Sequence, residues 1–416
     1  MKILWFEVTT PSRYTGQGLV IGGWQDSLER VVRTCPDIEL FIAFESLWPQ
    51  EQKVIDGVTY IPLNIQYSED EKKRAEETWE VNAEKLIPVM IETVNNIKPD
   101  LIQVFGTEWP FGLIAEHTDI PVVIHIQGAM SPYNNAMFPP GYNLLNVFRE
   151  IGWKHPKLLK KAWKNYKFDV SRAKIDKQVW KAVPFYMGRT DWDEALSAIM
   201  HPGRQYFHIE EALRPQFTTG ELQWKIPENN QLRLISTGCS NFWKGPDMLI
   251  KTAHILKEAE IDFQWEVAGY MPNNVYNMVE QKEELRFTEN NITFLGYIQP
   301  EVLSKKLCSS NIYVHTAYVE NSPNSICEAQ CMGVPIVSTN VGGISSLVKN
   351  KEQGILVPAN DPWQMAYAII SLAKDKDKQQ AFSENSRRVA LARHDDANIR
   401  QQILNVYRTI IKKHKQ

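Results

Sequence analysis

Seven residues separate Glu320 from Glu328, and the stretch between them is built to bind an anion. The segment His315–Val341 reads HTAYVENSPNSICEAQCMGVPIVSTNV. The apolar run Ile312–His315 predicts a strand, and a helix should open near Pro323 after a short loop. Ser322 suits the N-cap, and Pro323 and Asn324 suit the first turn. The amides of Asn324, Ser325 and Ile326 then point out of the helix end. Such an end holds a phosphate through its N–H groups and the macrodipole. It also follows the carboxyl end of a strand, where ligands sit in open α/β sheets. A carboxylate on each side adds acceptors for hydroxyl groups.

Two other patterns invite a metal. Asp191-Trp192-Asp193 has the D-x-D form, but Thr190 and Asp193 also fit a capping box, and that reading is preferred. Cys327 and Cys331 are spaced i, i+4, and no His or Cys cluster lies close in sequence to complete a zinc site. No metal is expected.

The elements that must position these residues alternate twice over. In the first half the apolar runs are Ile3–Val8, Leu40–Phe44, Leu101–Phe105, Val122–Ile126 and Phe185–Met187. In the second half they are Leu232–Ser236, Phe263–Ala268, Ile292–Leu295, Ile312–His315, Pro335–Ser338 and Ile355–Val357. Continuous runs suit parallel strands buried on both faces. Helical stretches lie between them, such as Asp247–Glu260 and Pro362–Lys374, the latter with Asp361 as N-cap. The reading is α/β, with two doubly wound domains. Residues 1–217 form the first, 218–231 a polar linker and 232–390 the second. A last helix, 391–416, is placed to pack across the junction.

One segment, 146–183, breaks the alternation. It carries Trp153, Trp163, Trp180, Tyr166 and Phe168, with Lys154, Lys157, Lys160, Lys161, Lys164 and Lys167 at spacings that share a helical face. It reads either as a solvated insertion helix whose aromatics cap the core, or as a surface for anionic lipid head groups.

The chain has 416 residues, 43% apolar and 23% charged, with a net charge of -3. Length implies two to three domains. The charge gives no global basic field for nucleic acid. Five scattered cysteines point to a reducing compartment. No signal peptide or membrane span is legible, so the cytoplasm is expected, with peripheral contact at the inner membrane face as an extension.

The ordered set of motifs resembles family 4 retaining glycosyltransferases. Glu320-x7-Glu328 is followed by Gly333-Val334-Pro335-Ile336-Val337 and by Gly342-Gly343. Lys244-Gly245 precedes Asp247 and Leu249-Ile250, Phe294-Leu295-Gly296-Tyr297 matches F-L-G-Y, and Gly354-Ile355-Leu356-Val357 matches G-x-L-V. Gly22-Gly23 resembles the family's first glycine pair, or is merely a turn before the helix opening at Trp24. The resemblance is good over about 230 to 375 and thinner before it.

It implies a GT-B architecture, two Rossmann-like domains facing a central cleft. The donor would be a UDP-, GDP- or ADP-sugar, with no metal or other cofactor. The acceptor would be a hydroxyl of a glycan or lipid-linked molecule, in cell-surface polysaccharide or glycolipid synthesis. By resemblance Glu328 would bind the ribose, Glu320 the transferred sugar, and Lys244 with the amides of Asn324, Ser325 and Ile326 the diphosphate. Tyr297 and Ile298 would pair with the base. Gly269 would leave room for donor, and Gly22 and Gly23 would approach its phosphates. Gln127, Glu108 and Arg189 are the acceptor-side candidates.

Two positions depart from the family pattern. Cys239 stands where an arginine often follows the strand-ending glycine, and Gln127 where a histidine is usual, with His125 two residues earlier read as a packed strand residue. A nucleotide-sugar epimerase, a sugar phosphorylase and a non-catalytic sugar-nucleotide-binding protein are the alternatives.

Overall fold

Each continuous apolar run forms a strand in the computed structural model, which describes residues 1–16, 23–78, 80–228, 231–239, 241–269 and 273–416. The chain divides into two compact units. The first holds Met1–Ser131, Asn165–Ala212 and His394–Gln416, and the second holds Pro132–Lys164 and Leu213–Arg393.

The first unit carries β1 (Lys2–Glu7), β2 (Glu39–Ser46), β3 (Lys53–Ile55), β4 (Val58–Asn64), β5 (Leu101–Phe105), β6 (Val122–His125), β7 (Phe185–Gly188) and β8 (Gln205–His208). Their order is β3-β4-β2-β1-β5-β6-β7-β8, parallel except where β3 runs antiparallel to β4. The second unit carries β9 (Leu232–Thr237), β10 (Phe263–Ala268), β11 (Ile292–Gly296), β12 (Ile312–His315), β13 (Ile336–Thr339) and β14 (Ile355–Val357). These run parallel in the order β11-β10-β9-β12-β13-β14.

Both sheets reverse their winding in the middle. β1 lies between β2 and β5, and β9 lies between β10 and β12. At each reversal the loops leave the strands in opposite directions and open a crevice at the carboxyl edge. Lys244, Glu320 and His315 belong to the loops and strand ends flanking the β9–β12 reversal.

Helices cover both faces of each sheet. In the second unit, Leu249, Ala253 and Leu256 of the Pro246–Glu258 helix pack with Trp265 and Ile369 on one side. On the other side, Ile326, Ala329 and Cys331 of the Asn324–Met332 helix pack with Tyr313 and Ile336. The buried Trp265 indole donates to Ser236 Oγ at 2.9 Å. Leaving such a donor unpaired would cost about 1–3 kcal/mol.

The chain's division differs from the sequence expectation at two places. Residues 132–164 cluster with the second unit, so the basic aromatic segment is not one insertion in the first. Within the expected linker, Trp224 is buried, and its indole donates to Ser310 O at 2.7 Å. The Asp396–His414 helix, expected to pack back across the junction, clusters with the first unit, where Trp5 Nε1 donates to Tyr407 OH at 3.0 Å and Tyr407 OH to Gln103 Oε1 at 2.5 Å.

Candidate functional site

Strand β12 ends at His315, and the chain then folds Glu320 back toward it. Glu320 is buried, and its Oε1 lies 2.5 Å from Lys244 Nζ and 3.1 Å from His315 Nε2. An ionised carboxylate only accepts, so a neutral His315 carries its proton on Nε2. Its Nδ1 then accepts from Tyr313 OH at 3.5 Å, and Thr237 Oγ1 lies 2.8 Å from that phenol. Thr237, Tyr313, His315 and Glu320 thus lie in one hydrogen-bonded row that, with His315 neutral, ends at the carboxylate. Burial pushes the Glu320 carboxyl up, but the Lys244 charge and the His315 hydrogen bond outweigh it and hold the group at about 2. It is a fixed anion at neutral pH.

The backbone around Glu320 is equally constrained. Gly343 N donates to Glu320 O at 3.1 Å. Gly342 has φ +53, and a Cβ there would sit 1.6 Å from Glu320 O. Only glycine allows that approach. Lys244 is set the same way. Gly245 has φ +72, and a Cβ would lie 2.0 Å from Thr316 O. Thr316 Oγ1 donates to Lys244 O at 2.9 Å, and Tyr318 N to Trp243 O at 2.7 Å.

Glu328 lies inside the Asn324–Met332 helix, buried, and takes a bidentate contact from Arg214: Nε and Nη2 each 2.7 Å from a carboxylate oxygen. The Arg214 guanidinium rests 4.8 Å from the Phe217 ring centroid. Residue type favours Ser322 as N-cap, but Pro323 takes the position, with φ -70 and no side-chain cap bond. Of the three amides expected at the helix mouth, that of Ile326 already donates to Pro323 O at 3.1 Å. Asn324 and Ser325 begin the helix.

Neighbouring strands end on glycines at the same edge. Gly238 N donates to Ala268 O at 2.9 Å, and Gly269 N to Gly296 O at 2.8 Å, so Gly269 lies beside Gly238. Tyr297 follows, half-exposed, with Ile298 partly buried beside it. Cys239 is buried with its thiol 3.9 Å from Thr316 Oγ1. Burial pushes the thiol up to about 11, so it is neutral where the family pattern often has a cation.

In the first unit Glu108, Gln127 and Arg189 follow the carboxyl ends of the adjoining parallel strands β5, β6 and β7. Gly23 opens the Gly23–Val32 helix, while Gly22 lies outside the described residues. Glu108 follows β5, and its Oε2 stands 2.0 Å from where a Gly106 Cβ would be. Burial raises its carboxyl. Arg172 lies against its carbonyl, with its guanidinium 3.9 Å from the Trp109 ring centroid. Gln127 is partly buried in the loop after β6. Arg189 is buried, with Nη2 3.2 Å from Glu211 Oε2, so it is held as an internal ion pair. His125 is fully packed beside Phe105, and burial together with the Arg189 charge lowers its imidazole to about 3. Asp193 completes the Thr190 capping box, accepting from both Thr190 N and Oγ1.

Sequence reasoning singled out Lys244 and Glu320 separately, and the fold brings them into contact across 76 residues. It missed His315 and Arg214. His315 opens the quoted motif and ends a strand, which was a usable signal. Arg214 lies 114 residues from Glu328 and carries no local pattern.

Residues 220–389 match the family Glycosyl transferases group 1. The D-inositol 3-phosphate glycosyltransferase of Corynebacterium urealyticum is 28% identical over 173 residues, covering 40% of this chain and 40% of that protein. The chain spans about two fifths of the length of the curated relatives it matches. A sucrose-phosphate synthase from Thermosynechococcus elongatus superposes with TM-score 0.73 at 16% identity, covering 99% of each chain. Anabaena HepE in complex with UDP and glucose superposes with TM-score 0.66 at 14% identity, covering 98% of this chain and 100% of that one. The fold is of the GT-B type, with two Rossmann-like parallel-sheet units.

Proposed function

We propose, from the premise that residues 220–389 belong to the glycosyl transferases group 1 family, that this chain is a retaining glycosyltransferase. It moves a sugar from a nucleotide-sugar donor to a hydroxyl of a glycan or lipid-linked acceptor. It works on the cytoplasmic side, in cell-surface polysaccharide or glycolipid synthesis. A lipid-linked acceptor would be met through peripheral membrane contact by the basic aromatic segment. The observation that carries the reading is the buried Glu320, held ionised by Lys244 and His315 where the sheet reverses.

An ammonium has three N–H donors, and Lys244 directs one at Glu320. The others would meet a diphosphate whose remaining charge falls to the amides of Asn324 and Ser325. Glu328, oriented by Arg214, would accept from the ribose hydroxyls. The C1–oxygen bond to the diphosphate breaks as the acceptor oxygen bonds to C1 on the same face. The departing diphosphate oxygen takes the acceptor proton. The protein contributes charge stabilisation of the leaving group and alignment of both substrates, with no metal. Glu320 would face the sugar as positive charge develops on it.

Thermal-shift screening against UDP, GDP and ADP, then their sugars, identifies the donor. With donor and acceptor known, Glu320→Ala and Lys244→Ala should each lose about 10²-fold or more in turnover. NMR of the first-formed product should show the donor's anomeric configuration. Near-wild-type rates in both variants would overturn the site. Conversion of the donor without any acceptor would favour an epimerase.

A further inference from the structure

Residues 144–164 hold six basic side chains (Arg149, Lys154, Lys157, Lys160, Lys161, Lys164) and one acidic one, Glu150, in a chain whose net charge is -3. All five lysines are exposed. Four large apolar residues in the same stretch are exposed as well: Leu145 at 67%, Trp153 at 77%, Leu158 at 52% and Trp163 at 43%. Trp153 is the most exposed tryptophan among the described residues. It stands after Gly152, in the turn between the Leu144–Ile151 and Pro156–Ala182 helices.

The first two turns of the second helix are two-faced. At about 100° per residue, Lys157, Lys160, Lys161 and Lys164 fall in one sector and Leu158, Leu159, Ala162 and Trp163 in the opposite one. Leu159 and Ala162 are partly covered, while Leu158 stays exposed and borders the lysine sector at Lys161. The later part of the same helix differs: Asp176, Val179 and Trp180 are buried in the first unit. The part before residue 165 belongs to the second unit.

We infer that the surface formed by residues 144–164 binds the face of an anionic lipid bilayer, with Trp153 entering the interfacial layer and the lysines meeting lipid phosphates. Tryptophan favours the boundary between head groups and acyl chains. Lysines beside it are drawn to the negative surface potential. A soluble polyanion would satisfy the lysines but leave Leu145, Trp153 and Leu158 in water, so the combination favours a bilayer. Among the described residues no helix is long and apolar enough to cross a membrane, and the contact is peripheral. The inference rests on the proposed function only in expecting a lipid-linked acceptor.

The full chain is co-sedimented, without nucleotide or acceptor, with vesicles of phosphatidylcholine alone or with 30% phosphatidylglycerol in 0.1 M salt. Binding is expected with the anionic vesicles only. The triple variant K157Q/K160Q/K161Q should lower the partition coefficient about 10²-fold, at about fivefold per lysine. Trp153→Ala should weaken it about tenfold and reduce the blue shift of tryptophan emission on binding. No anionic-vesicle binding overturns the inference, as does equal binding by the triple variant. Equally tight capture by dextran sulfate, insensitive to Trp153→Ala, also overturns it in favour of a soluble polyanion. Nucleotide thermal shifts on the same preparations report separately on the proposed donor site.

Discussion

Replacing Glu320 by glutamine keeps the side chain's shape and removes its charge, and the structure sets what should follow. The carboxyl is held at about 2 against an ordinary 4.5. At about 1.4 kcal/mol per tenfold change in proton affinity, ionisation favours the folded state by about 3 kcal/mol at neutral pH. The folded value is the depressed one. The unfolded chain therefore binds more protons between pH 4.5 and 2, and the contribution, complete above 4.5, is lost as pH falls through that window. It should shrink to about 2 kcal/mol at pH 3.5 and about 1 kcal/mol at pH 2.5. Urea unfolding of wild type and Glu320→Gln at each pH measures the difference. Other acid-sensitive groups are common to both proteins and largely cancel. A stability gap that stays constant from pH 7 to pH 2.5 would refute the Lys244–His315 account of this carboxylate.

Three further outcomes follow from the same geometry. Arg214→Ala removes the bidentate partner of the buried Glu328 and should destabilise the protein by about 3 kcal/mol. It should also weaken nucleotide diphosphate binding in calorimetry, whereas unchanged affinity would detach Arg214 from the site. Gly342→Ala drives a methyl group into Glu320 O and should cost at least about 2 kcal/mol in denaturant unfolding. A neutral result would show that the loop yields. His125 is held at about 3, well below an ordinary 6.5, so its contribution is present above 6.5 and lost as pH falls toward 3. His125→Asn should flatten stability against pH across that range, and parallel curves would contradict its burial as a neutral ring.

The interior strands were legible because they are covered on both faces. Leu101–Phe105, apolar except for Gln103, and Ile312–His315, apolar up to its last residue, are buried throughout. The strands that sequence reasoning missed lie at or beside a sheet edge. Lys53–Ile55 and Gln205–His208 form the two edges of the first sheet, where residues meet water and no apolar run is required. Val58–Asn64 is next to the edge, and Pro62 disguises it. The carboxylates and the lysine of the site were legible from type and order. The hydrogen-bond chain through Tyr313 and the Arg214 clamp were not, because pairing across 76 to 114 residues leaves no local trace. The division at 132–164 escaped for a related reason: composition marks 146–183 as unusual without saying which core its aromatics join.

The contact between Gly342 and the Glu320 carbonyl limits how this protein can diversify. Two loops that leave adjoining strands touch main chain to main chain here, so neither can be lengthened or recut without displacing the other. Variation in what the site accepts should therefore accumulate in loops with looser seating, while the two loops joined at residues 320 and 342 change only together.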